Sequence, residues 1–244
     1  MNSAVAKSFH ILEALSTRGP LRLSTLADEL GLGKSTVHRV LAELGELGYV
    51  EQEQDSGRYR PTLRTWELGT SVVADLPVKQ VAAGALADLH AATGETVSLV
   101  VRSGDDALYL DKLVSPRPMR FTTRVGSRVP LPLPAGGKAL LAAADDGPEV
   151  VARVAERPAL AAMIDVDKVI KELAAARRRG YAIARSKTRG VTSLAAAVID
   201  RDDRPAAALA VSAPTDHLGR KRRDEVATTL VSTATRLSES LGRL

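Results

Sequence analysis

The 244 residues include 45% hydrophobic and 26% charged side chains, a composition typical of soluble globular domains that excludes disordered and fibrous chains. The chain contains no cysteine, which excludes disulfide frameworks, thiolate metal sites and thiol nucleophiles. The net charge of +5 is unevenly spread, because residues 1–75 contain 8 basic and 10 acidic side chains. Nucleic-acid binding by this part would therefore require a local basic face.

The first 62 residues predict three short helices. Apolar residues recur at three- and four-residue intervals from Val5 through Phe9 to Leu15, the period of an amphipathic helix, and Gly19 and Pro20 end it. Ser24 is the expected N-cap of a second helix. The turn 31–33 leads into a third helix with one apolar stripe, which leaves Ser35 and Arg39 on the solvent side.

A two-stranded hairpin is predicted next. Residues 49–53 and 58–60 flank the turn-forming residues 55–57, so they are expected to pair as two strands. Three helices followed by such a hairpin are typical of a winged helix-turn-helix, whose third helix enters the major groove of DNA. We assign residues 1–62 to this domain and 63–76 to a linker helix.

Residues 77–244 predict an α+β domain in which helices pack against an antiparallel sheet. Pro77 begins a helix at its N1 position, and Pro130, Pro132 and Pro134 indicate an irregular loop. The expected strands are 95–102, 107–114, 120–125, 181–184, 194–200 and 205–212. Further helices are expected at 135–144, at 166–179 and from about 218 onward.

Several motifs carry a family resemblance. The run 23–41, LSTLADELGLGKSTVHRVL, resembles the DNA-binding motif of the IclR family of bacterial transcriptional regulators. Five further motifs follow in that family's order and spacing: TGETV at 93–97, VGSRVPL at 125–131, GKALLA at 137–142, RGYA at 179–182 and VSAP at 211–214. The combination is specific, although each motif alone is weak.

The resemblance implies a GAF-like domain after the linker helix that binds a small-molecule effector, and a homodimer or a dimer of dimers. It also implies where the effector pocket lies: around Pro134, Ala135 and Gly136, along 185–193, and at Ala210 and Ser212. The implied function is sequence-specific regulation of transcription, with repression favoured over activation. A palindromic or pseudo-palindromic operator is expected, because one short recognition helix covers too few base pairs for specificity.

Residues on the polar faces of the predicted winged helix-turn-helix are the candidate DNA contacts. Arg39 suits bidentate contact with guanine or contact with phosphate, and hydroxyls at the start of the third helix suit phosphate oxygens. The alternative for Arg39, His38 and Arg58 is an ordinary solvated surface. The full candidate set is Ser24, Thr25, Lys34, Ser35, Thr36, His38, Arg39 and Arg58.

The segment 185–189 suggests the effector's charge. It contains Arg185, Lys187 and Arg189 where relatives tend to be acidic, so we expect an organic acid as effector. Ser193 and Ser212 would add neutral hydrogen bonds, and Leu110 and Met119 would line the remainder. The alternative is that this loop is exposed and its charges are merely solvated.

Other function classes find less support. The four histidines lack metal-ligand spacing and no nucleophile elbow occurs, so neither an enzyme nor a metal or cofactor is expected. Residues 136–139 lack the first glycine and the hydroxyl of a phosphate-binding loop. The start of the chain lacks a secretory signal, and no apolar run approaches the ~18 residues of a membrane span, which predicts a cytoplasmic protein without a membrane partner. A DNA-binding protein whose C-terminal domain only oligomerises stays open as an alternative.

Overall fold

The computed structural model describes residues 3–120, 123–186, 188 and 190–242. They form two compact units, one ending at Ala74 and the other beginning at Asp75. The elements of the first unit are α1 (Ala4–Arg18), α2 (Leu23–Leu30), α3 (Lys34–Glu46), β1 (Val50–Gln52), β2 (Tyr59–Pro61) and α4 (Leu63–Ala74).

The core of the first unit is built from α1, α2 and α3. Ile11 and Leu15 of α1 pack against Leu26 of α2 and Leu41 of α3, all of them fully buried. The predicted apolar stripe of α1 is only partly correct, because Phe9 and its neighbour Val5 one turn earlier are 62% and 66% exposed.

The start of α2 differs from the prediction. Its N-cap is Arg22, and no side-chain hydrogen bond caps the helix, whereas Ser24 lies inside the first turn. Leu21 accounts for the earlier start, since its N–H and carbonyl pair with Tyr59 of β2 and fix the chain just before the helix. Gly31 ends α2 in the left-handed conformation, φ 62°, as predicted.

The predicted wing is confirmed. Strands β1 and β2 pair antiparallel, with Glu51 opposite Arg60. Gly57 turns the chain with a φ of 65°, and its carbonyl accepts a hydrogen bond of 3.0 Å from the side chain of Gln52. Ser56 Oγ accepts a further bond from the N–H of Arg58, so the turn is held by its own side chains.

The second unit is an α+β domain, as predicted. Its elements are α5 (Pro77–Thr93), β3 (Thr96–Ser103), β4 (Asp106–Leu113), β5 (Arg128–Pro130), α6 (Ala135–Ala143), α7 (Gly147–Ala155), α8 (Val166–Arg179), β6 (Ala182–Ser186), β7 (Val191–Ile199), β8 (Pro205–Pro214), a 3-10 turn (Thr215–Leu218) and α9 (Arg220–Leu241). Among the residues described, six strands form one antiparallel sheet in the order β5-β4-β3-β8-β7-β6.

Helices cover both faces of this sheet. One face packs on α5 and α9, and the other packs on α6 and α8. Because side chains alternate along a strand, Ala195, Ala208 and Ala210 all point to the α6 face, where they join its hydrophobic core. Small residues on these central strands allow α6 to approach closely.

Two predictions for this unit are wrong, and one helix was missed. Residues 120 and 123–125 form no strand, and β5 instead includes Pro130, which was assigned to a loop. Proline is tolerated there because β5 lies at the sheet edge. Helix α7 was not predicted at all, although Pro148 suits the first turn of a helix.

Close contacts fix the position of α6. A Cβ at Gly137 would overlap the carbonyl oxygen of Leu131, so only glycine fits there. Lys138, the buried lysine of the same motif, donates to Glu172 of α8 at 2.5 Å. Arg177 of α8 donates to the carbonyl of Ala142 at 2.7 Å, which satisfies an otherwise unpaired group at the C-terminal end of α6.

An ion-pair network ties the β3–β4 turn to α7. Arg153 donates to Asp105 at 2.6 and 3.2 Å, and Arg157 donates to the same carboxylate at 2.8 Å. Arg102 binds Asp146 with two bonds of 2.7 and 2.6 Å. The hydrogen bond from Arg153, together with its charge and that of Arg157, lowers the pKa of Asp105 below its ordinary 3.8.

We expect Asp105→Asn to lower the free energy of unfolding by about 1 kcal/mol at pH 7, because a neutral amide replaces the carboxylate that binds two partly exposed arginines. A carboxylate whose pKa is lowered in the folded state stabilises the protein above the ordinary pKa, and this contribution disappears as the pH falls through the folded value. Denaturant titrations should therefore show the variant and the wild type converging below about pH 4. A constant difference from pH 7 to pH 3 would contradict this assignment.

Candidate functional site

The exposed face of α3 is the first candidate site. Lys34, Ser35, His38 and Arg39 are exposed along it, whereas Thr36 is half-buried. The Arg39 side chain is 71% exposed, and its Nε lies 4.0 Å from the Glu43 carboxylate one turn later. The stripe that packs inward, Val37, Val40, Leu41 and Leu44, is buried. The buried stripe thus anchors α3 to the core, and its opposite face presents hydrogen-bond donors to solvent.

The other candidate contacts of the first unit lie on α2 and the wing. Ser24 is exposed and Thr25 half-buried in the first turn of α2. Arg58 is exposed at the wing and has no acidic partner within the described part of the chain. Arg60 beside it donates to Glu51 at 2.7 Å. The sequence analysis missed Arg64, whose guanidinium lies 5.3 Å from the ring centre of Tyr49 at the base of the wing.

The second candidate site is one face of the sheet in the second unit. Ser193 and Ser212 are directly paired between β7 and β8, and their hydroxyls hydrogen-bond at 2.8 Å. Ser98 of β3 is paired with Ala210, so it points to the same side. We call the surface formed by Ser98, Ser193, Ala210 and Ser212 the serine face.

The start of α6 lies over the serine face. Pro134 is the N-cap of α6, and Ala135 and Gly136 are buried in its first turn. A Cβ at Gly136 would come within 3.1 Å of Val100. Val100 lies two residues after Ser98 on β3, so the two side chains point to the same face of the sheet. Ala135 and Ala210 belong to the same hydrophobic cluster, so two parts of the predicted pocket, the start of α6 and the serine face, share one side of the sheet.

Arg185 does not join them. It is paired with Thr192, whereas its neighbour Ala184 is paired with Ser193. Side chains alternate between faces along β6, so Arg185 is exposed on the side opposite the serine face. Its placement in the predicted pocket is therefore corrected. Lys187 and Arg189 lie outside the described residues.

The two apolar residues of the prediction lie near the sheet's edges. Leu110 is buried in β4 at a bulge, where the pairing passes from Asp111 to Tyr109 and leaves Leu110 without a partner across β3. Met119 is exposed in the loop after β4 and lines an open cleft of about 800 Å³. The cleft's described walls are 118–120, 190–191 and 214–216. Val191 and Pro214 are paired two residues beyond Ser193 and Ser212 and so share their face, which means that this cleft extends the serine face.

Sequence analysis missed a cation on this face. Lys112 of β4 is paired with Ser98 and therefore points to the serine face, and its ammonium group donates to the carbonyl of Thr123 at 2.8 Å. Its neighbour Asp111 points the other way and binds Lys79 of α5. Burial raises the pKa of Tyr109 above its ordinary 10, and its pairing with Val100 places it on the same face. None of the strand residues described on this face is acidic.

The described residues contain no candidate metal cluster and no candidate membrane-spanning helix. Within them, no three His, Asp or Glu side chains are grouped so that they could hold a metal ion. No helix there is long and apolar enough to cross a membrane.

A winged helix-turn-helix with an exposed recognition helix, joined in one chain to a separate α+β unit, defines a DNA-binding transcriptional regulator. The family model of the IclR helix-turn-helix domain matches residues 4–54, and that of the bacterial transcriptional regulator IclR C-terminal domain matches residues 70–239. The chain belongs to the IclR family.

Known relatives span nearly the whole chain. The regulator KdgR of Dickeya chrysanthemi is 30% identical over 98% of this chain and 80% of its own length. The transcriptional repressor IclR of Escherichia coli is 25% identical over 98% of this chain and 90% of its own length. A solved IclR homolog from Microbacterium hydrocarbonoxydans, complexed with 4-hydroxybenzoate, is 25% identical with a TM-score of 0.84, and the match covers 99% of this chain and 100% of that one.

Proposed function

We propose that this regulator binds a small organic acid on the serine face and that the acid changes its affinity for an operator. The observation that carries the proposal is Lys112, a cation among neutral hydroxyl groups on a face without acidic strand residues. The ammonium group of Lys112 donates to the carbonyl of Thr123, and its positive charge favours a carboxylate as ligand, because charge-assisted hydrogen bonds are stronger than neutral ones. The Microbacterium homolog complexed with an aromatic acid supports this class of ligand.

We further propose that the protein acts as a repressor in the cytoplasm. Repression is supported by relatives named as repressors, among them IclR of Escherichia coli and the acetate operon repressor of Salmonella typhimurium. An acid that lowers operator affinity would then relieve repression.

The operator-binding form is proposed to be a homodimer. Helix α4 has no buried residue, and Trp66 and Val72 on it are 66% and 68% exposed. Phe9 of α1 is similarly exposed. An isolated 12-residue helix is marginal in water, so α4 requires an apolar partner, and a second copy of this chain supplies one. Two copies also supply two recognition helices for a palindromic site.

A thermal-shift screen tests the ligand class. We expect one or more acids in a panel of short aliphatic and aromatic carboxylic acids, 4-hydroxybenzoate included, to raise the melting temperature, and each matching amide to have little effect. Lys112→Met should weaken binding of the stabilising acid by about 10- to 100-fold, because a charge-assisted bond is lost. Lys112→Arg should retain most of it.

Arg185→Ala is the matched control, since it removes a cation from the opposite side of the sheet. The acid class is wrong if amides stabilise the protein as well as acids do. If no acid changes operator affinity in a gel-shift titration, the alternative in which the second unit only oligomerises is favoured. Loss of acid binding in Arg185→Ala, with Lys112→Met unaffected, would restore Arg185 to the pocket.

A further inference from the structure

A buried carboxylate lies at the corner between α5 and β3. The side chain of Glu95 is 3% exposed. Its Oε1 accepts a hydrogen bond from the guanidinium of Arg117 and lies 3.2 Å from Nδ1 of His217. Arg117 follows β4, and His217 follows β8. One carboxylate oxygen thus joins two segments that are about 100 residues apart in the chain.

Both segments form walls of the cleft that extends the serine face. Residues 118–120, directly after Arg117, form one wall. Thr215 and Asp216, directly before His217, belong to another. Neither Glu95 nor Arg117 lines the cleft itself, so Glu95 acts on the cleft through its partners.

Further bonds fix the corner that holds Glu95. Ser115 Oγ donates to the carbonyl of Gly94 at 2.7 Å, and the N–H of Ser115 donates to Thr96 Oγ1 at 3.1 Å. His90 Nδ1 lies 2.8 Å from the carbonyl of Glu95. The loop after β4 therefore starts from a rigid base, and Glu95 binds it two residues further on.

The buried charge of Glu95 depends on its two partners, Arg117 and His217. Glu95 Oε2 is buried and has no hydrogen-bond partner among the residues described. The compensation of this buried charge therefore comes through Oε1. A buried ion left without its partner is strongly destabilising. Movement of the Arg117 loop away from Glu95 would leave the buried carboxylate without this partner, so it is energetically opposed.

We propose that Glu95 is a positioning residue of the effector cleft, which clamps the 115–120 loop and the 215–218 turn at the spacing that a ligand requires. The inference rests on the proposed function, because the cleft is proposed to receive the acid. The clamp goes beyond the proposed function because it assigns the cleft's shape to a residue that does not line the cleft.

Hydrogen exchange of the full-length protein, without any ligand, tests the clamp. In Glu95→Gln, which keeps the size of the side chain but removes its charge, we expect exchange in 115–120 and 215–218 to accelerate about 10-fold or more, because these segments open locally. Exchange in β7 and α9 should stay at the wild-type rate. Asp146→Asn is the matched control, since it breaks another arginine–carboxylate pair away from this corner.

A second pair of variants covers the case in which Glu95→Gln does not fold. Arg117→Met should reproduce the local acceleration, and Arg117→Lys should reverse part of it, because a cation again faces Glu95. Unchanged exchange in both segments overturns the proposal. A uniform increase throughout the second unit also overturns it, since Glu95 would then contribute only to general stability.

A ligand-binding experiment distinguishes failure of the clamp from failure of the proposed function. With 4-hydroxybenzoate as the first probe, or the most stabilising acid of the panel, Glu95→Gln should weaken binding about 5-fold or more while operator affinity without acid is unchanged. If no acid of the panel binds the wild type, the acid class fails, and the exchange data alone decide the clamp. If an acid binds both proteins equally, Glu95 does not position the cleft.

Discussion

Replacement of Trp66 by glutamate is expected to convert the operator-binding dimer into a monomer. The side chain is 66% exposed on a helix with no buried residue, and a charge there would have to be desolvated for two copies to associate. Loss of the dimer removes simultaneous binding to two half-sites, which lowers operator affinity by about 100-fold or more. Light scattering gives the mass, and a gel-shift titration gives the affinity.

Ser71→Glu is the control for this experiment. It places the same charge on the same helix about 140° away from Trp66, so the dimer and operator affinity should be retained. The melting temperature of the two variants checks that the first unit is folded. A dimeric Trp66→Glu protein with wild-type operator affinity would show that α4 is not the dimer interface.

Arg39→Ala is expected to have the next largest effect on operator affinity. Each contact of this kind contributes about 1 to 3 kcal/mol, and a dimer presents two, so the loss is about 30-fold to 10⁴-fold in a gel-shift titration. Stability should change little, because the side chain is 71% exposed and its ion pair with Glu43 spans 4.0 Å at the surface.

Arg39→Lys distinguishes the kind of contact. Lysine keeps the charge but cannot bind bidentately, so a contact with guanine predicts a large loss for both variants and a weaker preference for the cognate operator. A contact with phosphate predicts that lysine retains most of the affinity. Wild-type affinity in Arg39→Ala would remove this residue from the interface.

The candidate DNA-binding face could be predicted because it depends on short-range periodicity. A helix that buries Val37, Val40 and Leu44 must present Arg39 to solvent, whichever element it packs against. The wing was predictable for a similar reason, since its turn contains Ser56 and a left-handed glycine within a few residues.

The effector pocket was less predictable because strand side chains alternate. A shift of one residue moves a side chain to the other face, so proximity along the chain to Ser193 could not place Arg185. Lys112 escaped notice for the complementary reason. Only its pairing with Ser98 on β3, and the binding of Asp111 to α5, assign it to the serine face.

The sequence by itself determined most of the local elements, the winged helix-turn-helix and the family motifs, because these depend on residues within a turn or a hairpin of one another. Only the tertiary structure decided which side chains share a face of the sheet and which segments meet at the buried Glu95. Such neighbours come from strands and loops far apart in the chain, and hydrogen-bond register rather than sequence spacing brings them together.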